Sequence, residues 1–337
     1  MSVRTRLAPL GAFLEAEEAA DRFSDAVVVE HAGETVFADA FGHAHLGLGV
    51  ANTIDTRFNT ASITKMLTAV AVLQLVEQGA LSLDATVADV LPGLDIGGAE
   101  RITVDHLLAH RSGLGDYWNE RCRQRRSTLR TTDAYLALVE GEQPAFEPGS
   151  AVAYGNSGYV VLGGIIEGVT GRDYYEHVLD HVVRPAGMER AGHLHLDHIE
   201  DFAHGYTTVE WEGSPHPDHR TDNLFQYPVR GSAATGLYAS APELVRFGLA
   251  LREGALLGPP LVARMLEPTD SGAGYGTQTV PWSGGSAVGH GGRAFGAATV
   301  LLFLRELDVS VCVLSNYDRP ADKRVFAQID RLLGGAS

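Results

Sequence analysis

Lysine is almost absent from this sequence, and basic charge is scarce altogether. Only two of the 26 basic side chains are lysines, Lys65 and Lys323, and the formal net charge is -16 at pH 7. A chain this acidic repels phosphate backbones and anionic lipid headgroups, so we expect neither a nucleic-acid partner nor a membrane partner. The one dense basic run, residues 121–126, is expected to be a solvated loop or helix face, with an anion site as the alternative.

Cysteines are few, and neither a long apolar run nor a signal-peptide pattern is seen. The two cysteines, Cys122 and Cys312, have no CxxC spacing, which argues against a disulfide framework or a zinc finger. We predict a surface thiol at Cys122 and a core-strand side chain at Cys312. No apolar run reaches the roughly 18 residues that a spanning helix needs. The amino terminus passes directly into acidic, helix-forming sequence without a signal-peptide pattern, so we expect a cytoplasmic protein in a reducing compartment.

Residues 58–79 are predicted to form a buried helix, and the candidate catalytic residues lie at its start. The side chains of this stretch are apolar nearly all the way round a helix, which predicts burial on every side. Asn59 or Thr60 can cap the start of this helix, and Gly79 marks its end.

A serine and a lysine stand three residues apart at the head of this helix. Because positions i and i+3 share a helix face, the amine of Lys65 can lie beside the hydroxyl of Ser62. An arginine cannot give up its proton at working pH, whereas burial can lower the pKa of a lysine until it accepts one. The pair is therefore a candidate nucleophile and base. A snorkelling lysine with no chemical role is the alternative.

Strand patterns lie at the two ends of the chain, and helical patterns lie mostly between them. Two β-rich runs joined at Ala32 and Gly33 predict a hairpin. We expect an α+β fold in which one antiparallel sheet, built from both chain ends and flanked by terminal helices, receives an inserted all-helical lobe. Residues 1–78 and 225–337 would form the α/β domain and residues 79–224 the helical one, with the active site between them. The predicted segments are strands at 25–42, 275–281, 287–292, 297–304 and 309–314, and helices at 7–22, 241–254, 258–267 and 320–333.

Two further stretches carry candidate site residues. Tyr154 and Asn156, two apart in a loop, can present a phenol and a carboxamide to one pocket, although a buried tyrosine and a helix-capping asparagine would leave the same pattern. His290 stands among glycines at the end of a predicted strand, where glycine lets a backbone approach a ligand closely and can expose an N–H donor. A glycine-rich turn without function is the alternative for this third stretch.

Together, in this order, these motifs resemble the serine β-lactamase and penicillin-binding-protein superfamily. The likeness is to the branch of class C β-lactamases, DD-peptidases and family VIII esterases, which has a tyrosine-x-asparagine second motif after S-x-x-K. It extends from about residue 24 to residue 316. Other stretches that look like family sequence are 56–58, 75–79, 106–114, 146–149, 162–171, 185–188, 235–238 and 313–316.

The resemblance implies a role for each matching residue. Ser62 would be the acylated nucleophile and Lys65 its proton partner. Tyr154 would act as general base in acylation and return the proton to the leaving group, while Asn156 would hold the substrate and Lys65 in place. The backbone N–H groups of Ser62 and Arg293 would form the oxyanion hole. Whether Lys65 or Tyr154 takes the first proton is left open.

The third motif departs from the family pattern. His290, Gly291 and Gly292 stand where β-lactamases of this branch have Lys-Thr-Gly. Glycine offers no hydroxyl and histidine is mostly neutral at pH 7, which weakens recognition of a substrate carboxylate. The Arg293 side chain could restore an anion contact. Tyr117, with its neighbour Trp118, is a further candidate for the pocket wall, ordinary packing being the alternative.

We therefore predict a serine hydrolase that acts through an acyl-enzyme on an ester or amide bond of a small molecule or peptide. An esterase or a D-amino-acid or peptide amidase fits best. An acyltransferase in natural-product assembly, a weak β-lactamase or DD-carboxypeptidase, and a non-turnover acyl-binding sensor are the alternatives. The G-x-S-x-G elbow of α/β-hydrolases is absent. No P-loop or G-x-G-x-x-G fingerprint follows a strand either, and no cofactor is expected.

The 14 histidines of the chain raise the possibility of a metal site. His177 and His181 are four apart on one helix face, and residues 193–198 contain three more histidines and an aspartate. However, the H-E-x-x-H glutamate is missing, so no metal is expected.

Overall fold

The computed structural model describes residues 1–198, 201–209, 219–267 and 271–334. The α-helices of these residues are α1 (Val3–Arg6), α2 (Leu10–Ala19), α3 (Thr64–Glu77), α4 (Val87–Val90), α5 (Val104–Leu108), α6 (Glu120–Arg125), α7 (Thr132–Val139), α8 (Ser157–Thr170), α9 (Tyr174–Val178), α10 (Ala241–Arg252), α11 (Pro259–Leu266) and α12 (Ala321–Gly334). The β-strands are β1 (Asp25–His31), β2 (Glu34–Ala40), β3 (His43–His45), β4 (Val50–Ala51), β5 (Phe58–Asn59), β6 (Tyr206–Thr207), β7 (Thr221–Asp222), β8 (Tyr238–Ala239), β9 (Gln278–Trp282), β10 (Gly285–Ala294), β11 (Ala297–Leu304) and β12 (Val309–Ser315).

The central sheet joins the two ends of the chain. Its strand order is β2-β1-β12-β11-β10-β9, and neighbouring strands are antiparallel throughout. The first two strands form the predicted hairpin, in which Ala32 and Gly33 both have positive φ (52° and 84°), as a two-residue turn of this twist requires. The predicted antiparallel sheet built from both chain ends is confirmed.

The inner strands β1, β11 and β12 are buried on both faces, which explains why their side chains are mostly apolar. Val311 and Val313 of β12 belong to the core shared with α2 and α12, whereas Cys312 and Leu314 belong to the core shared with α3 and α10. Because successive side chains alternate across a strand, one short run supplies both cores. The terminal helices thus cover one face, and the other face supports helix α3, which directly follows the candidate serine.

Helix α3 begins after a single 3₁₀ turn, Ala61–Ile63. Residues 64–73 of the helix are all buried, so the predicted burial on every side is confirmed for its first ten residues. The start differs from the predicted cap: Asn59 Oδ1 accepts from the Ala61 N–H at 2.8 Å and holds the turn that precedes the helix. Gly79 has φ +70° and follows the last helical turn, as predicted.

The middle of the chain is mainly helical, from α4 to α9, and also contributes the short strands β6 and β7. The predicted domain boundaries at 78/79 and 224/225 stay a prediction. Among the described residues, no helix combines the length and the apolar character needed to cross a bilayer.

Two sequence-based expectations are wrong in detail. The amino-terminal helix predicted over 7–22 is instead the pair α1 and α2, because Pro9 has no N–H to continue a helix from α1. Cys122 is fully buried rather than a surface thiol. Helix α6 turns this cysteine inward and leaves Arg121 and Arg125 exposed, so the basic run does form the predicted solvated helix face.

Candidate active site

A cleft of about 820 Å³ lies where β10 meets the turn before α3 and the loops before α6 and α8. Strand β9 pairs with β10 only as far as Gly289. Beyond that point His290, Gly291 and Arg293 of β10 line the cleft. Ser62 lies on the facing turn, so nucleophile and strand edge share one wall of the cleft.

Strand β10 packs directly against the turn that carries Ser62. A Cβ at Gly292 would lie 2.7 Å from the Cβ of Ala61 and 2.8 Å from the Thr60 carbonyl oxygen, closer than real contacts allow. Ala61 itself has φ +47°, a strained conformation for a residue with a side chain. Glycine at 292 is therefore a packing requirement of the nucleophile turn. At Gly291, by contrast, a Cβ would approach only to 3.4 Å, the distance to Arg319 Nη2.

Ser62, Lys65 and Tyr154 meet at the base of the cleft. The phenol of Tyr154 donates to Ser62 Oγ at 2.8 Å, and Lys65 Nζ lies 3.2 Å from the same oxygen. The structure thus brings together the serine, the amine and the phenol, although Ser62 and Tyr154 are 92 residues apart in the sequence.

Lys65 is completely buried, and its amine has three partners. Besides Ser62 Oγ, Nζ donates to Asn156 Oδ1 and to the Ala234 carbonyl oxygen, both at 2.7 Å. Burial lowers the pKa of Lys65 to about 7, against which the negative charge of Asp116 acts to raise it. A substantial share of this lysine is therefore neutral near pH 7.

Tyr154 projects from the loop before α8, with its ring 4.5 Å from that of His110. Desolvation of the phenol raises the pKa of Tyr154 to about 12, so the hydroxyl keeps its proton at pH 7. The neighbouring Gly155 has no room for a side chain, since a Cβ there would lie 2.4 Å from the Gly115 carbonyl oxygen. The glycine in the middle of this motif therefore lets the loop fit against residues 114–115.

Asn156 occupies the N-cap position of α8 but makes no capping hydrogen bond. Its Oδ1 accepts from Lys65, and its Nδ2 donates to Asp116 Oδ2 at 2.8 Å. Asp116 thereby fixes which end of the amide faces the lysine. Sequence reasoning missed Asp116; its only signal was an acidic residue that follows a glycine shortly after the 106–114 stretch.

His290 is buried and uncharged. Burial lowers its pKa to about 3, and the nearby Lys65 adds to the effect. Its Nδ1 is hydrogen-bonded to the Gly291 carbonyl oxygen. A neutral imidazole cannot replace the family lysine as a cation, in line with the weakened carboxylate recognition predicted from the sequence.

Two arginines line the cleft on the β10 side. Arg293 is exposed. Arg319, which sequence reasoning missed, lies beside Gly291, and its Nε is 3.3 Å from Asp322 Oδ2. Arg319 follows β12 and reaches the cleft only because the sheet places β12 close to β10, so no local pattern could indicate it.

Tyr117 does not line the cleft, and the prediction that it binds substrate is not supported by its placement. Its side chain is fully buried, and its hydroxyl lies 2.8 Å from Ser232 Oγ. Trp118 lines the cleft instead. Two adjacent aromatic residues point to different sides of this loop, and the sequence does not indicate which one faces inward.

The histidines considered as metal ligands lie outside the cleft. Among the residues that the structure describes, His195, Asp197 and His198 form a cluster that could hold an ion, with ligand atoms within 4.8 Å of one another. The Asp197 carboxylate is already bound by both terminal nitrogens of Arg130. His193 points elsewhere, with Nε2 3.1 Å from the Ser232 carbonyl oxygen.

Comparison with known proteins places this geometry in context. A family model described as Beta-lactamase matches residues 12–335. Penicillin-binding protein 4 of Amycolatopsis lactamdurans is 31% identical over 327 residues, covering 88% of this chain and 84% of the relative. Esterase EstB of Burkholderia gladioli is 29% identical over 293 residues, covering 77% and 73%. The crystal structure of a D-stereospecific amidohydrolase from Streptomyces sp. matches with a TM-score of 0.80 at 25% identity, covering 98% of this chain and 99% of that one.

Proposed function

The chain belongs to the Beta-lactamase family, and we propose that it is a serine hydrolase in which Ser62 forms an acyl-enzyme with substrates that contain an ester or amide bond. One observation carries the proposal: Ser62 Oγ lies within hydrogen-bond distance of both Lys65 Nζ and Tyr154 Oη in the wall of a cleft. A hydroxyl held between an amine and a phenol is an activated nucleophile.

Lys65 takes the first proton in this proposal. A neutral amine has two N–H groups and one lone pair, and Asn156 Oδ1 and the Ala234 carbonyl oxygen accept the two hydrogens. The lone pair is then left for the third neighbour, Ser62 Oγ. With a pKa of about 7, Lys65 is partly neutral at neutral pH. Tyr154, with a pKa of about 12, is not a base in the resting enzyme.

Tyr154 serves as the acid for the leaving group. As Ser62 Oγ bonds to the substrate carbonyl carbon, its proton passes to Lys65. Tyr154 donates its proton to the departing oxygen or nitrogen when the ester or amide bond breaks, and the proton on Lys65 restores the phenol. Water then cleaves the acyl-serine, which releases the acid and frees Ser62.

The developing negative charge on the carbonyl oxygen needs fixed donors. The backbone N–H groups of Ser62 and Arg293 are our candidates, because Gly292 brings β10 into contact with the serine turn. Donors held in place by a rigid strand and a rigid turn stabilise the oxyanion without reorganising.

The third motif favours esters and amides over β-lactams as substrates. Gly291 has no hydroxyl and His290 no charge, so the contacts that the family's threonine and lysine make to a carboxylate are missing, and a carboxylate would have to be bound by an arginine instead. Relatives named as an esterase and a D-stereospecific amidohydrolase support this preference.

A substrate panel on wild type and Ser62→Ala tests the proposal. The panel contains p-nitrophenyl esters, D-amino-acid amides and nitrocefin. We expect faster turnover of the esters than of nitrocefin, and a loss of about 10³-fold or more in Ser62→Ala. Ser127→Ala, at an exposed serine outside the cleft, is the matched control. Hydrolysis that survives in Ser62→Ala would show that another group is the nucleophile.

A further inference from the structure

The two walls of the cleft carry different charged groups: Asp116 lies on one wall and both lining arginines lie on the other. On the side of the helical region, the Asp116 carboxylate accepts from Asn156 Nδ2 at 2.8 Å and from the Trp118 N–H at 2.9 Å. Within the described residues, no arginine, lysine or histidine lies within salt-bridge distance of it. Asp116 is exposed, and each of its oxygens keeps a lone pair for a further donor. This carboxylate is therefore available to a cation that enters the cleft.

On the strand side, the cleft carries two guanidinium groups and the Asp318 carboxylate, which accepts from the Gly296 N–H at 2.8 Å and from the Thr208 N–H at 2.7 Å. Arg293 is exposed and, in the described part of the chain, has no carboxylate at salt-bridge distance. Arg319 is held through its Nε by the buried Asp322 carboxylate, which leaves its terminal nitrogens beside Gly291. The missing side chain at Gly291 keeps the space in front of Arg319 open. A fixed guanidinium with open space before it suits a carboxylate ligand.

Ser62 lies between these two walls. Three successive hydrogen bonds link Ser62 to Asp116, by way of Lys65 and then Asn156. On the other side its turn touches Gly292, which is adjacent to Arg293 and one residue from Gly291. A substrate with its scissile carbonyl at Ser62 would extend toward a negative group in one direction and toward positive groups in the other.

Resting on the proposed function, we infer that this site hydrolyses short zwitterionic peptides, above all dipeptides, with the free ammonium at Asp116 and the free carboxylate at Arg293 and Arg319. The two charges of an extended dipeptide are at most about 7 Å apart, which a cleft of about 820 Å³ accommodates. Like charges repel a peptide bound in reverse, so the bipolar cleft also sets its direction.

The reaction balances as peptide plus water giving two amino acids. Ser62 Oγ bonds to the carbonyl carbon of the first residue, and the C–N bond breaks. Tyr154 supplies the proton that the departing amine needs, and water then releases the first amino acid from Ser62.

Four versions of alanyl-alanine, each in its four stereoisomers, test the inference. They are the free dipeptide, the N-acetylated form, the C-terminal amide and the doubly blocked form. Cleavage of the internal peptide bond is followed by chromatography with wild type, Asp116→Asn, Arg293→Gln and Arg319→Gln. Asn at 116 removes the charge and keeps one oxygen that can accept from Asn156, although it gives up the second acceptor that the Trp118 N–H uses. Asp39→Asn, at an exposed carboxylate on edge strand β2, is the matched control.

For wild type we expect kcat/KM to fall about 10- to 100-fold when either end of the best stereoisomer is blocked, as for loss of a charge-assisted hydrogen bond. Asp116→Asn should reduce the preference for the free amine to within about 3-fold while the preference for the free carboxylate persists. The arginine variants should do the reverse, and Asp39→Asn should keep both preferences.

Equal rates of wild type on free and blocked dipeptides would overturn the inference, and this outcome does not depend on any variant folding. Ester hydrolysis that requires Ser62 would then still stand, so the proposed function would survive. Dipeptide cleavage that persists in Ser62→Ala would also overturn the inference, because another site would be responsible.

Discussion

The amide of Asn156 joins Asp116 to Lys65: Nδ2 donates to the carboxylate at 2.8 Å, and Oδ1 accepts from the amine at 2.7 Å. An exposed acid at the rim of the cleft is thereby linked to a fully buried base. The negative charge of Asp116 raises the pKa of Lys65, while burial lowers it more strongly. The two effects leave the lysine able to change its protonation near neutral pH.

The pH dependence of activity should follow Lys65. Its pKa is lowered to about 7, and the neutral amine is the active form, so kcat/KM should rise through about pH 7 and level off above it. Removing a negative charge disfavours the protonated lysine, so Asp116→Asn should move the midpoint to lower pH by about 0.5. An uncharged p-nitrophenyl ester is the substrate, and Asp39→Asn is the control. A midpoint that moves to higher pH in Asp116→Asn would contradict the assignment.

Lys65 cannot be replaced by the basic residue that this chain uses elsewhere. An arginine keeps its proton at any working pH and cannot take one from Ser62. We expect Lys65→Arg to lose about 10³-fold or more in kcat/KM for p-nitrophenyl esters. Lys323→Arg, at the other lysine, which is exposed, is the control and should retain activity. Lys65→Arg at near wild-type activity would exclude Lys65 as the base.

The hydroxyl of Tyr154 should matter more than its ring. Tyr154→Phe keeps the ring beside His110 and removes the proton donor to Ser62 and the leaving group. The expected loss in kcat is about 10²- to 10⁴-fold, the usual range for a general acid or base. Steady-state kinetics with esters of different leaving groups measure it, and the poorest leaving group should suffer most. An equal, small loss for every ester would argue against an acid role.

Gly291 and Gly292 should respond differently to the same substitution. Gly292→Ala places a methyl group 2.7 Å from Ala61 Cβ and must shift the serine turn. We expect it to lower the free energy of unfolding by about 1–3 kcal/mol and to reduce activity. In Gly291→Ala the new methyl group meets only ordinary contacts at 3.4 Å or more, so stability should be retained. Denaturant unfolding of both variants checks this, and equal stability would refute the packing account.

The parts of the fold that could be predicted from sequence depend on local pattern or on strong burial. The hairpin at Ala32 and Gly33 follows from turn chemistry, and α3 from an apolar stretch that has no polar side. The sheet from both chain ends follows from where the β-rich runs lie. The break between α1 and α2 was harder to predict from the sequence, because a single proline marks it. The predicted cytoplasmic location stays a prediction.

The candidate site could be predicted only where its residues lie in recognisable motifs. Ser62, Lys65, Tyr154 and Asn156 were found in this way, and the structure brings all four together. Asp116 and Arg319 were missed because they reach the cleft through the packing of loops and strands distant in sequence. For the same reason the sequence does not show which of Tyr117 and Trp118 faces the cleft, since the orientation of one loop decides which ring is buried.

The most direct test of the account is to trap the acyl-enzyme. Wild type incubated with an acylating fluorophosphonate probe, then digested and measured by mass spectrometry, should carry one adduct on the peptide that contains Ser62. Formation of the adduct should slow sharply in Lys65→Arg and vanish in Ser62→Ala. An adduct on another peptide, or one that still forms in Ser62→Ala, would contradict the claim that Ser62 is the nucleophile.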